Sequence, residues 1–422
     1  MRVHLHDFSG HPFQAELSRA LAARGHDVLH AYSAQFVTGH GLLSLQPGDA
    51  PGLRFESVTA DSPMVKYSPL GRTRFELTYA RAWQQQLDRE VADVVIACNV
   101  PLFALARMRR YFAERQLPWV FWHQDIYSLG VAGEAARKLP AAAAALISRQ
   151  AQRIERAQVH SADAVVAIGD GFLDQYRAWG VRTDHVRVIP NWAPLDHLLP
   201  GARDNAWAAR NGLPSEPVRL LYAGTLGRKH NPLLLLDMLD AARERGVDAL
   251  LTVVSEGVGA DDLAVAAAGR SDVRLLGYQS AQDLPEVLAS ADAVVALLEP
   301  DAAQFSVPSK VLSYLSAGRP IVALVPAANP SALDVQAAGG FVGEPSKAGA
   351  AAAGDWLAEV ARDPEGLLTL GKRSRALAES RFDIDRITDE FESVLDSAAG
   401  RSSLPAELPR TFGRLDQVRA GS

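Results

Sequence analysis

The sequence predicts an α/β protein made of two doubly wound, parallel-sheet domains of Rossmann-like type. Short β-branched runs alternate with longer Ala/Leu/Arg-rich stretches of helical periodicity, which is how parallel strands with crossover helices read. That alternation then restarts in the second half. Between the two sets lies a segment in which Pro194, Pro200, Gly201, Gly212, Pro214 and Pro217 concentrate, the mark of a boundary. A length of 422 residues exceeds one ordinary domain core and agrees with two.

In chain order, the first set of strands is expected at 3–8, 27–30, 93–97, 119–122, 164–168 and 186–189. The second is expected at 220–223, 249–254, 273–276, 293–297 and 321–324, with helices such as 233–245 between them. The resulting domains are 1–195 and 218–383, with a linker over 196–217. A final helix over 384–399 is expected to pack back toward the first domain. From about residue 400 the chain turns polar, with Ser402, Pro405, Pro409 and Gly413, and a loosely ordered tail is expected over 400–422.

Composition narrows the function classes. With 48% hydrophobic and 22% charged residues and a net charge of -6, the chain is ordinary globular protein without the basic footprint of a nucleic-acid binder. One cysteine, Cys98, excludes an internal disulfide framework and a cysteine-based zinc site, so a reducing, cytoplasmic compartment is expected. Met1 runs straight into a strand pattern without the features of a secretory signal, and no apolar run reaches the roughly 20 residues that span a bilayer. Contact with a membrane would therefore be peripheral. Arg107, Arg109, Arg110 and Arg115, followed by apolar 119–122, permit such a surface, although a solvated helix face is the simpler reading of that row.

Ligands of doubly wound sheets bind beyond the carboxyl ends of the strands, so the loops there are where chemistry is sought. In the first, Asp7 to Gln14, Gly10 allows close backbone approach and Pro12 suits a first helical turn, a cradle for an anion. The second, Trp122 to Tyr127, carries His123 and Asp125, two positions apart on an extended segment and able to accept or orient a proton. The third, Gly224-Thr-Leu-Gly-Arg-Lys-His-Asn-Pro232, puts two glycines, Arg228, Lys229 and a helix start directly after a strand. Open amides, positive charge and a helix N-terminus together suit a diphosphate. A fourth segment starts a helix at Pro308, Ser309 and Lys310 and ends it at Gly318, which offers a second set of phosphate contacts.

These segments, together with the helix ending Leu21-Ala-Ala-Arg-Gly-His-Asp27, the run Ala162 to Ile168, Val188-Ile-Pro-Asn-Trp192 and Ala317-Gly-Arg-Pro320, resemble the retaining GT-B glycosyltransferases of family 4, over the chain to about residue 397. The resemblance implies two Rossmann-like domains facing across a cleft, with a nucleotide-sugar bound by the second and a hydroxyl acceptor mainly by the first. It places Lys229, helped by Arg228, on the donor diphosphate with Gly10 and Gly224 near the same phosphates. His123 or Asp125 falls beside the transferred sugar, and Ser309 and Lys310 at phosphates and ribose. It implies no metal and no cofactor, the UDP-, GDP- or dTDP-sugar being a substrate. The acceptor is expected to be hydroxyl-bearing and lipid-linked, in surface polysaccharide or glycoconjugate synthesis.

Two departures stand out. Where family members often carry two glutamates, this sequence has Gln304 and Ser313, of which the serine cannot hold two ribose hydroxyls as a carboxylate does, and Glu299 lies nearby at a spacing that fits poorly. Thr225 stands where an arginine is common. Two other readings share the architecture: a nucleotide-sugar epimerase, and a nucleotide-sugar-binding partner without turnover.

Overall fold

The computed structural model describes residues 1–36, 41–64, 68–227, 230–299 and 309–400. The chain divides into two compact units, Met1–Pro190 with Ile384 onward, and Asn191–Asp383.

In the first unit, β1 (Arg2–Asp7), β2 (Asp27–Ser33), β3 (Leu53–Val58), β4 (Val94–Cys98), β5 (Trp119–His123), β6 (Ala164–Ala167) and β7 (Val186–Val188) form a sheet ordered β3-β2-β1-β4-β5-β6-β7. Every pairing is parallel. The central strands are continuous apolar runs because helices cover both faces, and every residue of β4 and β5 is buried. That burial corrects one expectation: the apolar run 119–122 fills the interior of the sheet and is no membrane-facing surface, while Arg115 beside it pairs with Asp88. β3 was not expected from the sequence. It is an edge strand in which Arg54 and Glu56 interrupt the apolar run, and edge strands tolerate such charges.

The closing helix Ile384–Ala398 belongs to this unit. Its buried stripe, Ile387, Thr388, Phe391, Val394 and Leu395, recurs at helical spacing, and Phe391 meets Trp122 edge-on with ring centres 4.8 Å apart. Arg24 and His26, at the end of the helix Pro12–Ala23 and just beyond it, both reach Glu392, at 2.6 and 2.8 Å. Beyond Gly400, the tail lies outside the described residues.

In the second unit, β8 (Val218–Ala223), β9 (Ala249–Val254), β10 (Val273–Leu276), β11 (Ala293–Leu297), β12 (Ile321–Leu324) and β13 (Phe341–Gly343) are ordered β10-β9-β8-β11-β12-β13, again all parallel. β13, three residues of middling burial at the edge, gave no sequence signal. The segment expected as a linker packs onto this unit. Trp207 is buried and donates from its indole to Gln279 (2.9 Å), and Asn205 caps the short helix Ala206–Arg210 at Ala208 N. Arg219, also buried, donates to the carbonyls of Arg203, Leu213, Pro214 and Ser290. A fully buried guanidinium is tolerated because its fork is filled with acceptors.

Both sheets reverse their winding once, between β1 and β4 in the first unit and between β8 and β11 in the second. Those switch points are where the flanking loops diverge and leave a crevice at the carboxyl end.

Candidate functional site

At the switch point of the first sheet, β1 ends in Asp7 and β4 is followed by Asn99. Asp7 is fully buried and accepts from the Ser9 amide (3.2 Å), the His11 amide (2.6 Å) and the Asn99 side-chain amide (2.8 Å). Burial pushes its carboxyl up to about 6 in spite of these donors. The contacts tie the first loop down so that Gly10 turns at φ 66°, a left-handed conformation a side chain would disfavour, and its carbonyl accepts from Gly41 N at 2.7 Å. Asn99 is itself left-handed, at φ 53°, and its carbonyl accepts from the Tyr127 hydroxyl. Gly10 thus makes the turn of this loop, and the residues that hold the loop in shape are Asp7 and Asn99. The Asp-x-x-Gly spacing after a strand was the signal available for them.

His123 ends β5 with both ring nitrogens occupied. Nδ1 lies 2.7 Å from the Tyr176 hydroxyl and Nε2 3.2 Å from Glu155 Oε1, and the ring is buried, stacked on Phe121. Glu155, also buried, accepts the amides of Tyr127 (2.8 Å) and Ser128 (2.9 Å). Burial alone would raise the Glu155 carboxyl, but the hydrogen bonds from His123 and Ser128 hold it below its ordinary value. An ionised carboxylate there makes Nε2 the natural donor of the imidazole and leaves Nδ1 to accept from Tyr176. His123 and Asp125, expected to share a direction, part company: the histidine turns inward into this network, whereas Asp125 is exposed in the turn before Tyr127. Glu155 and Tyr176 were missed by the sequence reading, since they sit 32 and 53 positions away on helices whose pattern reads as ordinary amphipathic surface.

In the second unit, β8 ends at Ala223 and the chain opens at Gly224, φ 131°. The glycine is needed for this conformation, and a Cβ there would stand in van der Waals contact, 3.4 Å, with both Cε and Nζ of Lys310. Lys310 comes from the first turn of the helix Ser309–Ser316. Its ammonium lies 4.1 Å from the centre of the Tyr222 ring and bonds the Tyr222 hydroxyl, which in turn donates to the Thr225 carbonyl (3.0 Å). Tyr314 locks the same helix to the end of β8 by donating to the Ala223 carbonyl at 3.0 Å and accepting its amide at 3.1 Å. No ion pair of Lys310 is formed among the described residues, and burial lowers its pKa to about 7. Thr225 bonds the Tyr278 hydroxyl.

Ser313 is half-buried one turn along from Lys310 and so shares its side of the helix. Glu299 follows β11, across the switch point from Gly224, and its Oε1 is buried without a hydrogen-bond partner among the described residues. Arg228, Lys229 and Gln304 lie outside the described residues, as does the side chain of Ser309. Tyr222 and Tyr314 were not anticipated, because a tyrosine in an apolar strand or helix reads as core. Among the described residues, no group of three His, Cys, Asp or Glu side chains is arranged to hold a metal ion.

Two family models match the chain: a glycosyl transferase 4-like domain over residues 11–192 and a glycosyl transferases group 1 domain over residues 217–359. Among curated proteins, Escherichia coli (strain K12) "Putative colanic acid biosynthesis glycosyl transferase WcaI" is 26% identical over 176 residues; the match spans 41% of this chain and less than half, 43%, of that protein. Among solved structures, sucrose-phosphate synthase from Thermosynechococcus elongatus has a TM-score of 0.73 at 16% identity, covering 95% of this chain and 100% of the other. Anabaena HepE in complex with UDP-glucose gives 0.68 at 17% identity, covering 94% and 100%. At such identities the structural likeness speaks for the fold.

Proposed function

Given that the chain belongs to the family-4-like glycosyltransferases of GT-B fold, we propose that it moves a sugar from a nucleoside-diphosphate sugar to a hydroxyl-bearing, lipid-linked acceptor with retention at the anomeric carbon. The observation that carries the donor half of this reading is Lys310. Its ammonium is desolvated beside the open backbone of Gly224 and rests on a neutral phenol, with no carboxylate paired to it among the described residues. A cation held in that way is costly in the empty protein and gains most from an arriving anion. Solved proteins of the same fold include Anabaena HepE bound to UDP and to UDP-glucose, which favours a UDP-sugar over GDP- or dTDP-linked donors.

In the reaction, the bond from C1 of the sugar to the terminal phosphate oxygen breaks and the diphosphate leaves with the electron pair. The acceptor oxygen bonds C1 from the same face, and its proton passes to the departing phosphate oxygen. Lys310, with Arg228 and Lys229, neutralises the charge that builds on that oxygen. Ser309 and Ser313 contact phosphate and ribose, Gln304 the sugar hydroxyls, and Thr225 stands beside the phosphates with Gly224. Glu299, whose Oε1 is buried and has no hydrogen-bond partner among the described residues, is a carboxylate that can take the role of one of the missing glutamates.

In the first unit, Gly10 provides the anion cradle for the donor phosphates. Asp125, exposed in the turn that His123 and Glu155 anchor, reaches the transferred sugar or the acceptor hydroxyl, and His123 acts as a positioning residue. Titration with UDP, GDP and dTDP by calorimetry, followed by nucleotide release from the matching sugar and NMR of the product's anomeric proton, tests this. Binding of no nucleotide, or an inverted product, refutes the donor or the stereochemical half respectively.

A further inference from the structure

The helices Tyr127–Lys138 and Ala141–Ser161 form an antiparallel hairpin turned by Leu139 and Pro140. Its root is anchored. Ala151, Glu155, Gln158 and Val159 are buried, and the Gln158 side chain donates to the Leu102 carbonyl (2.8 Å) on the neighbouring helix Leu102–Arg115. The far end projects: over residues 134–150 only Ala135 and Ala144 are buried. At about 1.5 Å per residue, the first ten residues of the second helix stand roughly 15 Å clear of its root.

Sequence and exposure along that projection divide in a definite way. Leu139 stands at the turn and Leu146 and Ile147 about 8 Å down the second helix; they are 41%, 69% and 41% exposed, among exposed alanines. Cations flank them: Arg137 and Lys138 adjoin Leu139 at the turn, each paired with Glu134, and the exposed Arg149, Arg153 and Arg156 follow toward the root of the second helix. Glu134 is the one acidic residue between 127 and 154, and Glu155 is turned inward on His123. Leu146, Arg149, Arg153 and Arg156 fall at spacings of three and four, so the arginines continue the same stripe of the helix from which the leucine projects.

We propose that this hairpin is a membrane-docking element: Leu139, Leu146 and Ile147 enter the interface of an anionic bilayer while Arg137, Lys138, Arg149, Arg153 and Arg156 meet its headgroups. Exposed apolar side chains flanked by cations with long stems suit a lipid surface, where arginines keep their charge at the phosphates while their stems lie along the apolar layer. A second copy of the chain is a poor occupant. Two tips of the same positive charge repel, and three side chains fall well short of the roughly 800 Å² per partner that a specific interface buries. The inference deepens the reading of a lipid-linked acceptor by naming the part of the chain that brings the enzyme to the surface bearing it.

Flotation of the full chain with phosphatidylcholine vesicles, with and without phosphatidylglycerol, tests the proposal. Binding is expected on the anionic vesicles alone and to weaken with salt. Leu146→Gln with Ile147→Gln, and separately Arg149→Gln with Arg153→Gln, should each lower that binding by about tenfold or more. All four positions are exposed or at the surface of the projection, so circular dichroism and nucleotide binding should not change. No binding by the unaltered chain, equal binding by all three proteins, or concentration-dependent dimers that both double variants abolish in place of vesicle binding, would each overturn it. Calorimetry with UDP on the same preparations separates the two readings: a protein that binds UDP but no vesicles loses only the hairpin, and one that binds vesicles but no nucleotide loses the transferase donor site.

Discussion

Lys310→Met removes the ammonium and keeps most of its stem, and its effects on stability and on binding should have opposite signs. The lysine's pKa falls from 10.5 to about 7 through burial. At about 1.4 kcal/mol for each tenfold change, this sets a ceiling near 5 kcal/mol on what charging it costs the folded protein. The side chain is half-buried, so solvent screening reduces that to about 1 to 2 kcal/mol. Tyr222 keeps a partner in the Thr225 carbonyl, so the substitution leaves no buried hydroxyl unmet. The empty variant should therefore unfold at a higher urea midpoint at pH 6.5, by about 1 to 2 kcal/mol, while its affinity for UDP falls about tenfold or more. The sign with pH follows from linkage. Between about 7 and 10.5 the unfolded chain holds a proton on this lysine that the folded chain has released, so wild-type stability rises with pH across that window and the variant's advantage disappears. Urea unfolding at pH 6.5 and 9, with calorimetry for UDP, gives both readouts. A variant less stable than wild type at pH 6.5, or one that binds UDP undiminished, would refute the claim that Lys310 is an uncompensated cation awaiting an anion.

Glu155→Gln should cost about 2 to 3 kcal/mol by urea unfolding at pH 7, because a carboxamide turns a donor toward the Tyr127 amide, the Ser128 amide or His123. Glu155 is held below its ordinary value, so its contribution is present above about pH 4.5 and lost as pH falls through the lower folded value; the penalty should shrink on acidification. His30 is buried and lowered to about 3, chiefly by burial, so from pH 6.5 down to that value the unfolded chain gains a proton the folded chain refuses. His30→Leu leaves Ser18 bonded to the Gln14 carbonyl and should raise the urea midpoint at pH 4.5 while changing it little at pH 7.5. Gly257→Ala sets a Cβ 2.9 Å from the Leu226 carbonyl at φ 112° and should destabilise by about 2 kcal/mol, with weaker UDP binding because the strained loop adjoins Thr225; unchanged thermal unfolding would count against that geometry.

The parts of the fold legible in the sequence were those whose burial leaves an unbroken apolar run. β4, β5, β11 and β12 announce themselves because both faces are covered. Edge strands β3 and β13 have solvent on one side and charge or brevity in the run, and their pairing depends on neighbours that periodicity does not see. The segment 196–217 misled for a related reason: proline and glycine mark it as punctuation, yet Trp207 finds its partner, and the carbonyls of Arg203, Leu213 and Pro214 meet Arg219 of β8, only in three dimensions. Site residues divided similarly. Gly10, Gly224 and Lys310 stand in loops or helix starts after strands, where topology points directly at them, whereas Asp7, Asn99, Glu155, Tyr176 and Tyr222 act through contacts between distant elements.

The two switch points use buried charge in opposite ways, and the contrast bears on which side does what. Asp7 and Glu155 in the first unit are saturated by amides, Asn99 and His123, so their work is to hold loops in left-handed or tightly turned conformations. Among the described residues, Lys310 in the second unit is left with a phenol and a π-face, and Glu299 across the same switch point keeps a buried oxygen with no donor. Satisfied networks add rigidity and unsatisfied ones add demand for a ligand. A nucleotide diphosphate with ribose hydroxyls answers both demands at once, an acceptor for the ammonium and donors for the carboxylate, which a simple phosphate cannot. Inorganic pyrophosphate should therefore bind more weakly than UDP, and Glu299→Gln should narrow that difference by lowering UDP affinity while leaving pyrophosphate affinity unchanged.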